Sequence, residues 1–341
     1  MVTPRQETIL KLIVSDYIAT AAPIASDGIA RNHDLGVSPA TIRNDVAELE
    51  ENGYISRPHT SAGSIPLDKA YRFYVESIVT METGGIPAHV QNSVRKQLSN
   101  LERDIDDWAN VAAAVLARLV GNLAIATFPR AIEPRVKYVE LVPLQDILAM
   151  LIVVLEQVGL RRQLIRLKEP SRPAELEASA NRVKSQLVGL TRREIESRVT
   201  ASTPLEEEVI DATILILREE GQATYRNHYV DGLINLLNQP EFAENDKVRS
   251  IVEGIEDGSF VQAVLEEAPE GGMVKVIIGQ ENRGDMLWPL SIVICEYGVP
   301  DSVVGAVGAV GPTRMEYSKT IAGVKLVSTI MNDLVEGVSS G

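Results

Sequence analysis

A helix that begins at Ser38 is the feature that most restricts the fold of this chain. The Ser38 hydroxyl can accept a hydrogen bond from a free backbone N–H group, and Pro39 suits the first helical position. Apolar residues then recur at helical spacing over residues 42–49, so they line one face of about three turns. Gly53 ends the helix, and a short strand follows at residues 54–57.

The opposite face of this helix carries polar side chains that can read DNA. Thr41, Arg43 and Asn44 point away from the apolar stripe. Arg can contact guanine O6 and N7 with two hydrogen bonds, and Asn can contact adenine N6 and N7 in the same way. In a helix-turn-helix, the first turn of the second helix carries such groups into the major groove. Taken alone, the pair also fits an ordinary solvated helix face.

The elements around this helix match a winged helix-turn-helix. Helices predicted at residues 4–19 and 26–33 precede it, and the strand at 54–57 leads into a polar, glycine-containing loop. Three helices and a β-hairpin therefore predict a DNA-binding module over residues 1–80. The candidate DNA-binding residues are Ser38, Thr41, Arg43, Asn44, Arg57, His59, Thr60, Ser61 and Gly63.

The charge balance does not favour strong electrostatic attraction to DNA. The chain has 33 Lys and Arg against 47 Asp and Glu, a net charge of −14. Residues 1–75 alone hold seven basic and nine acidic side chains, a net charge of −2. Because DNA binding draws much of its affinity from phosphate neutralisation, we expect a dimer that adds two modest footprints.

Composition and motifs exclude several other classes of protein. Apolar residues make up 45% of the chain and charged residues 23%, as in a soluble globular protein, and 341 residues predict two or three domains. The longest apolar run, residues 147–155, is far shorter than the roughly 20 residues that span a bilayer. No signal core precedes the first helix, and the single Cys295 provides no disulfide framework, so we expect a cytoplasmic protein with no membrane partner.

Catalytic and metal-binding patterns are missing from the sequence. The four histidines are scattered without ligand spacing, and neither a nucleophile-elbow nor a Walker motif occurs. Gly305, Gly308 and Gly311 lack the spacing of a dinucleotide loop, and small residues packed within a strand explain them better. We therefore expect no enzyme activity, no catalytic residue, no metal site and no cofactor.

Beyond the first module, the chain predicts an α+β domain with an insertion. A glycine-containing break near residue 84 precedes a long amphipathic pattern over residues 90–119. The order of strands, then helices, then strands and a final helix predicts one sheet domain split by a largely helical insert. The predicted strands cover 124–128, 136–142, 147–155, 160–167, 273–278, 290–295 and 303–310, and the helices cover 173–187, 204–220, 246–266 and 315–334.

Motifs along nearly the whole chain resemble those of the HrcA family of bacterial heat-shock repressors. The N-terminal motifs are Thr3-Pro4-Arg5-Gln6, Gly36-Val37-Ser38-Pro39-Ala40-Thr41-Ile42-Arg43-Asn44-Asp45, Ala47-Glu48-Leu49-Glu50-Glu51, His59-Thr60-Ser61-Ala62-Gly63 and Tyr71-Arg72-Phe73-Tyr74-Val75. The downstream motifs are Leu236-Leu237-Asn238-Gln239-Pro240-Glu241-Phe242 and Gly311-Pro312-Thr313-Arg314-Met315-Glu316-Tyr317.

The resemblance implies a domain organisation. It implies a winged helix-turn-helix at residues 1–80, a GAF-like α+β domain in two parts at 88–168 and 244–341, and an inserted dimerisation domain at 169–243.

The resemblance also implies the function of a homodimeric repressor. Such a repressor binds an inverted repeat, the CIRCE operator, upstream of chaperone operons and is kept active by the GroEL chaperonin. Arg43 and Asn44 would read bases with help from Thr41, while Ser38, Thr60 and Ser61 would contact phosphate. Arg57 and His59 would place the wing.

The chain departs from the family pattern at four positions in the DNA-facing module. Asp27 and Ser64 stand where the family usually has basic residues, and Leu67 and Ala70 replace a usual Thr and Gly. The loss of two positive charges predicts weaker or altered operator affinity through the second helix and the wing tip.

Two alternative functions remain open on the sequence. The first is a small-molecule-sensing transcription regulator that acts through the GAF-like domain, since such folds often hold ligands, although fold does not imply function. The second is a structural or protein-binding module that no longer binds DNA, which the charge losses would favour.

Overall fold

The fold combines thirteen α-helices with eleven β-strands among the described residues. The computed structural model describes residues 2–33, 35–58, 63–81, 85–99, 107–156, 159–167, 173–222, 228–243, 245–269, 271–299 and 302–339. None of the helices described in these ranges is long and apolar enough to cross a membrane.

The helices fall into an N-terminal group, a central group and a C-terminal group. The helices predicted at 4–19, 26–33, 173–187 and 204–220 are confirmed within two residues, whereas α8 and α10 were not predicted. The helices expected over 246–266 are α11 and α12, which are separated at Gly258, whose φ is +81°. The helices are α1 Pro4–Thr20, α2 Ser26–Asn32, α3 Pro39–Glu51, α4 Asp68–Met81, α5 Ala88–Ser99, α6 Trp108–Val120, α7 Pro173–Leu187, α8 Arg192–Arg198, α9 Pro204–Gln222, α10 Leu233–Leu237, α11 Asn245–Glu256, α12 Ser259–Leu265 and α13 Tyr317–Ser339.

The strands of the described ranges form three separate sheets. A two-stranded sheet pairs β1 with β2, a six-stranded sheet has the order β8-β3-β11-β10-β9 with β4 paired to β11, and a three-stranded sheet has the order β5-β6-β7. The strands are β1 Ile55–Ser56, β2 Ile65–Pro66, β3 Leu123–Thr127, β4 Arg130–Ala131, β5 Val136–Gln145, β6 Leu148–Leu155, β7 Gly159–Arg166, β8 His228–Asp231, β9 Val274–Ile278, β10 Leu290–Val299 and β11 Val303–Pro312.

Contacts divide the chain into two compact units. The first unit contains Met1–Ala126, His228–Glu296 and Ala306–Ile330, and the second contains the remaining residues, with Thr127–Asn227 as its main part. The first unit therefore holds the N-terminal helices together with most of the six-stranded sheet. The second unit holds the three-stranded sheet and helices α7, α8 and α9.

In the first unit, the N-terminal helices share one apolar core. Helices α1 and α2 both pack against α3, and α4 packs against α1 and β2. The side chains of this core are almost fully buried, and they are Ile9, Leu10, Ile13, Val14, Ile29, Ile42, Val46, Leu49, Ile55, Ala70, Tyr71 and Val75. Burying apolar side chains on several elements at once is what makes a module of this size fold.

Helix α4 connects the N-terminal helices to the sheet of the same unit. Arg72 donates from Nη2 to the Val276 backbone carbonyl at 2.7 Å and pairs with Glu281. The Asp68 carboxylate accepts a hydrogen bond of 2.9 Å from the backbone N–H of Gln280. These contacts fix the orientation of α4 against β9 and the residues that follow it.

The six-stranded sheet explains the glycines near residue 308. Gly305, Gly308 and Gly311 lie in the buried strand β11, which confirms the prediction that they are strand residues and not a dinucleotide loop. A Cβ on Gly308 would lie 3.0 Å from the Val293 carbonyl oxygen of the neighbouring strand β10. Small residues therefore permit close packing along β11.

The second unit is built around the antiparallel β5-β6-β7 sheet. Side chains of β6 alternate between buried and half-exposed, so one face of the sheet packs on helices while the other, among the described residues, stays partly open to solvent. The buried face and the helices share a core that includes Val139, Leu151, Val153, Ile165, Leu176, Val183, Leu187, Val209, Ile216 and Leu217.

The strands of this sheet fall in the predicted first part of the GAF-like domain, residues 88–168, before the insert predicted to begin at 169. In the structure, these strands pair with one another and pack on α7 and α9 instead of joining the larger sheet. The apolar run at 147–155 predicts a strand but does not show which sheet the strand joins.

Candidate nucleic-acid interface

Helix α3 begins where the sequence predicts. Ser38 is its N-cap, and the Ser38 Oγ accepts a hydrogen bond of 3.2 Å from the Thr41 backbone N–H. The Ser38 and Thr41 hydroxyl oxygens also lie 2.9 Å apart, so the two side chains form one polar cluster at the helix start. Pro39 follows at the first helical position. The cap satisfies one of the backbone donors that a helix start leaves unpaired.

The two faces of α3 have opposite characters. Ile42, Val46 and Leu49 are at most 1% exposed and pack into the N-terminal core. Arg43 and Asn44 lie on the exposed face. The apolar stripe therefore orients the helix, and the two predicted base-reading side chains project into solvent.

Polar contacts with α1 hold α3 in place. The Arg5 guanidinium donates to both Asp45 carboxylate oxygens, with Nε–Oδ2 at 2.6 Å and Nη2–Oδ1 at 3.0 Å. The hydrogen bond and the negative charge of Asp45 raise the pKa of Arg5 above its ordinary value. The Gln6 amide also donates to the Glu48 carboxylate at 2.5 Å.

Arg43 forms a salt bridge with a residue of α2. Its Nη2 lies 2.8 Å from Asp27 Oδ1, and both side chains are more than half exposed. The planar guanidinium has five N–H groups, so this single contact leaves others available for a ligand. Asn44 is exposed on the same face of α3.

The wing begins from a charged contact with α3. Strands β1 and β2 pair antiparallel, Ile55 with Pro66 and Ser56 with Ile65. Arg57 follows β1 and donates from Nε to Glu50 Oε2 at 2.8 Å, and the Arg57 backbone N–H donates to Glu50 Oε1 at 3.0 Å. The hydrogen bond from the Arg57 side chain lowers the pKa of Glu50 below its ordinary value. Arg57 therefore fastens the wing to α3.

Gly63 allows the end of the wing loop to cross the backbone before α2. A Cβ on Gly63 would lie 2.5 Å from the Pro23 carbonyl carbon and 2.7 Å from that of Ile24, so a larger residue would collide with backbone. Next to it, Ser64 and Ile24 exchange two backbone hydrogen bonds of 2.7 and 3.0 Å. The Ser64 side chain is buried, and its Oγ has no hydrogen-bond partner in the described part of the chain.

The predicted contact residues therefore occupy two regions. Ser38, Thr41, Arg43 and Asn44 lie together in the first turns of α3, while Arg57 and Gly63 lie at the base of the wing. The predicted residues His59, Thr60 and Ser61 lie outside the described residues.

Sequence reasoning missed the acidic partners of this surface. Asp27 and Glu50 contributed to the acidic count of residues 1–75, but nothing in the sequence paired them with Arg43 and Arg57. In the structure, Arg5, Arg43 and Arg57 each pair with a carboxylate of the same module. Much of the positive charge near α3 is thus already balanced within the protein.

The rest of the described chain offers little catalytic chemistry. Within the described ranges, no group of three or more His, Cys, Asp and Glu residues is arranged to hold a metal ion. Cys295 is buried, and burial raises the pKa of its thiol, which makes the thiol unreactive.

Comparison with known proteins identifies both parts of the chain. The family described as the HrcA protein C-terminal domain matches residues 106–321, and the DeoR-like helix-turn-helix domain matches residues 32–66. The helix-turn-helix match covers α3 and the described strands of the wing.

Curated relatives match the chain over nearly its full length. A heat-inducible transcription repressor HrcA from Dehalococcoides mccartyi is 38% identical over 98% of this chain and 96% of its own length. A protein of the same name from Chloroflexus aggregans is 34% identical over 98% of this chain and 93% of its own. A solved structure described as a hypothetical protein has a similar fold, with a TM-score of 0.63 and 23% identity, and the match covers 100% of this chain and 99% of that one.

The family is one of DNA-binding transcription repressors and not of enzymes, which confirms the sequence prediction on both points. The chain belongs to the HrcA family.

Proposed function

We propose that this protein is a dimeric repressor of chaperone operons that binds an inverted-repeat, CIRCE-type operator and is kept active by the GroEL chaperonin. The observation that carries the proposal is the exposure of Arg43 and Asn44 on a capped helix within the helix-turn-helix match. The heat-inducible repressor relatives support the class of target gene. A repressor of transcription works beside the chromosome, so we assign the protein to the cytoplasm.

Helix α3 supplies the base contacts in this proposal. Arg43 donates to guanine O6 and N7, and Asn44 pairs with adenine N6 and N7, with Thr41 beside them. Ser38 at the helix start, together with Thr60 and Ser61 in the wing, contacts phosphate oxygens. His59 helps to place the wing, and Gly63 keeps its base close to the residues before α2.

The paired arginines support a modest electrostatic contribution to binding. Arg5 and Arg57 are neutralised by Asp45 and Glu50, so their charges contribute little to a phosphate contact. Because the salt dependence of DNA affinity scales with the number of neutralised phosphates, each monomer should show a shallow salt slope. Two modules on one operator then provide the affinity that a single module lacks.

The uncovered face of the β5-β6-β7 sheet is our candidate for the dimer surface. Leu160 and Leu164 on this face are 49% and 59% exposed, and Ile152 beside them is half-buried. Glu140 and Arg162 lie on either side of Ile152 in the same row, so a two-fold arrangement can set opposite charges against each other. A second copy of this chain is therefore the occupant that we propose, and its two-fold symmetry fits an inverted-repeat operator.

A gel shift with an inverted-repeat duplex and a scrambled duplex of equal length tests the DNA-binding proposal. We expect the Arg43→Ala variant to lose about 1–3 kcal/mol of operator affinity with little change on the scrambled duplex. Arg31→Ala removes the same charge from the exposed surface of α2 and serves as the matched control. If the wild-type protein bound both duplexes equally, the proposed function would be wrong.

Sedimentation analysis tests the dimer surface. Leu164→Glu puts a charge on the proposed face and should shift the protein towards monomer while weakening operator binding. Leu215→Glu changes a leucine that is 43% exposed on α9 and should leave the dimer intact. A Leu164→Glu protein that remains dimeric would rule out this face.

The chaperonin part of the proposal rests on the family resemblance and has its own test. Purified GroEL added to a heat-treated sample should restore operator binding in the gel shift. An unfolded competitor protein should remove that effect by occupying the chaperonin. Equal recovery of operator binding with an unrelated carrier protein in place of GroEL would contradict the chaperonin part of the proposal.

Small-molecule sensing is a second candidate function with one observation in its favour. A cavity of about 520 Å³ in the first unit lies between α1, α4 and the start of α13, and its lining includes Tyr74, Asn122, Gln239 and Arg314. Its volume falls in the range of small-molecule sites. A thermal-shift screen of metabolites, followed by gel shifts with any hit, tests this function. A ligand that changes operator affinity would favour it over chaperonin control.

A further inference from the structure

The salt bridge between Asp27 and Arg43 joins two different helices at the predicted DNA-facing surface. Asp27 lies in the first turn of α2 and Arg43 in the second turn of α3, with 2.8 Å between Oδ1 and Nη2. We propose that Asp27 is a positioning residue that holds the Arg43 guanidinium for base reading and thereby sets the sequence specificity of this surface. The inference rests on the proposed role of Arg43 in reading a base.

Stability of the fold is a weak explanation for this pair. The Arg43 and Asp27 side chains are 59% and 56% exposed, and exposed ion pairs contribute little to folding because water screens them. The two helices already pack against each other, and each has a buried isoleucine, Ile29 on α2 and Ile42 on α3, both 1% exposed. The pair therefore orders a side chain at the surface more than it holds the helices together.

The geometry of the contact suits a guanidinium that must read a base. Guanine recognition needs two N–H groups presented together in one plane. Asp27 Oδ1 engages Nη2, and this contact restricts the otherwise free rotation of the long Arg43 side chain. Because Arg is a planar fork with five donors, a carboxylate on one of them leaves others available for the base. A pre-ordered side chain loses less entropy on binding.

Asp27 also affects how Arg43 can bind DNA non-specifically. A free arginine on this surface can turn to the nearest phosphate, which adds affinity without sequence information. The Asp27 carboxylate competes for the guanidinium, and its negative charge repels the phosphate backbone. Asp27 therefore has opposite effects on the two kinds of complex: it favours the specific one through Arg43 and disfavours the non-specific one.

The test compares operator and scrambled duplexes with the full-length protein at one fixed salt concentration. Asp27→Ala should tighten binding to the scrambled duplex about two- to threefold and lower the operator-to-scrambled affinity ratio about three- to tenfold. Asp27→Asn keeps an oxygen acceptor for Arg43 and should retain part of the ratio. Glu51→Ala removes an equal charge from the last turn of α3 and should leave the ratio unchanged.

A double variant shows whether Asp27 acts through Arg43. In an Arg43→Ala background, Asp27→Ala should leave the affinity ratio unchanged, because the side chain that it positions is gone. An unrelated structural effect of Asp27 would lower the ratio in both backgrounds. Single-base substitution of the operator should show that Asp27→Ala and Arg43→Ala relax the preference at the same base pair.

Three outcomes would overturn the inference. An unchanged ratio in Asp27→Ala would mean that the pair has no role in recognition. A raised operator-to-scrambled ratio in Asp27→Ala would mean that Asp27 holds Arg43 away from the DNA. A wild-type protein that does not distinguish the two duplexes would remove the proposed function itself. The wild-type measurement comes before any variant is made, so failure of the proposed function can be told apart from failure of the inference about Asp27.

Discussion

Arg314 forms a salt bridge with Glu241 and thereby brings together the two downstream motifs of the sequence. The Arg314 guanidinium also donates from Nη2 to Gln239 Oε1 at 2.7 Å and from Nη1 to the Ile18 backbone carbonyl at 3.4 Å. One side chain thus joins the segment after α10, the residues before α13 and the C-terminal end of α1. The motifs carry structural contacts that secure the N-terminal helices within the first unit.

The largest stability effect is therefore expected for Arg314. Its side chain is 14% exposed and that of Glu241 is 29% exposed, so Arg314→Met leaves a carboxylate without its cation in a largely desolvated place. We expect a loss of about 2–4 kcal/mol in the free energy of unfolding, measured by urea denaturation. Arg249→Met is the matched control, since Arg249 is 78% exposed and its partner Glu253 is 60% exposed, and this change should cost less than about 1 kcal/mol. Equal losses in both variants would contradict the structural role of Arg314.

Gly63 and Gly28 should respond in opposite ways to the same substitution. Gly63→Ala places a Cβ against the Pro23 and Ile24 backbone, which cannot move without shifting the start of α2, so we expect a loss of about 1–3 kcal/mol. Gly28 lies within α2 with no atom within 4 Å of its added Cβ, and Gly28→Ala should gain up to about 1 kcal/mol from helix propensity. Thermal unfolding of both variants measures the contrast. Similar melting temperatures would show that the wing loop can relax away from Pro23.

Local sequence patterns predicted most of the helices. They did not predict how the strands pair, because paired strands are far apart in the chain. The cap at Ser38 and the spacing of Ile42, Val46 and Leu49 gave the position of α3, because both depend on residues within a few turns. The six-stranded sheet joins β3 to β11 across more than 180 residues of chain, and no local pattern encodes that partner. The edge strand β8 was missed because His228–Asp231 is short and only half apolar.

The candidate site was predicted in part for the same reason. Exposed Arg43 and Asn44 follow from helical periodicity alone. Arg43 pairs with Asp27 of α2, and Arg57 pairs with Glu50 of α3. Both pairs depend on how the elements pack together, so a local sequence pattern does not reveal them. The net charge of a segment includes these carboxylates but does not show which basic side chain each of them pairs with.

The free energy of unfolding should respond differently when the buried Ser64 and the capping Ser38 are each changed to alanine. The Ser64 hydroxyl is buried without a partner among the described residues, and a buried unpaired hydroxyl is destabilising. We therefore expect Ser64→Ala to leave the free energy of unfolding unchanged or to raise it by up to about 1 kcal/mol. Ser38→Ala removes the cap of α3 and should cost about 1 kcal/mol. A Ser64→Ala protein as unstable as Ser38→Ala would reveal a hydrogen bond to that hydroxyl.

Glu50 predicts a specific response to acid. Its hydrogen bond with the Arg57 side chain lowers the pKa of the folded-state carboxyl below the ordinary value of 4.5. A carboxyl with a lowered pKa stabilises the fold above its unfolded-state pKa, and this contribution disappears as the pH falls through the folded-state pKa. The free energy of unfolding of wild type should therefore exceed that of Glu50→Gln at pH 7. The difference should shrink as the pH falls from about 5 to below 4, where the wild-type carboxyl becomes neutral as well.

Urea denaturation of both proteins at several pH values measures that difference. Glu51→Gln is the control, because Glu51 is exposed at the end of the same helix and forms none of the salt bridges described for α3 and the wing. The free energy of unfolding of Glu51→Gln should follow that of wild type across the whole pH range. Because Glu50 holds Arg57 at the base of the wing, operator affinity should fall in Glu50→Gln by the same mechanism, with a larger effect at pH 7 than near pH 4. A constant difference between wild type and Glu50→Gln at every pH would show that the carboxylate charge is not what fastens Arg57.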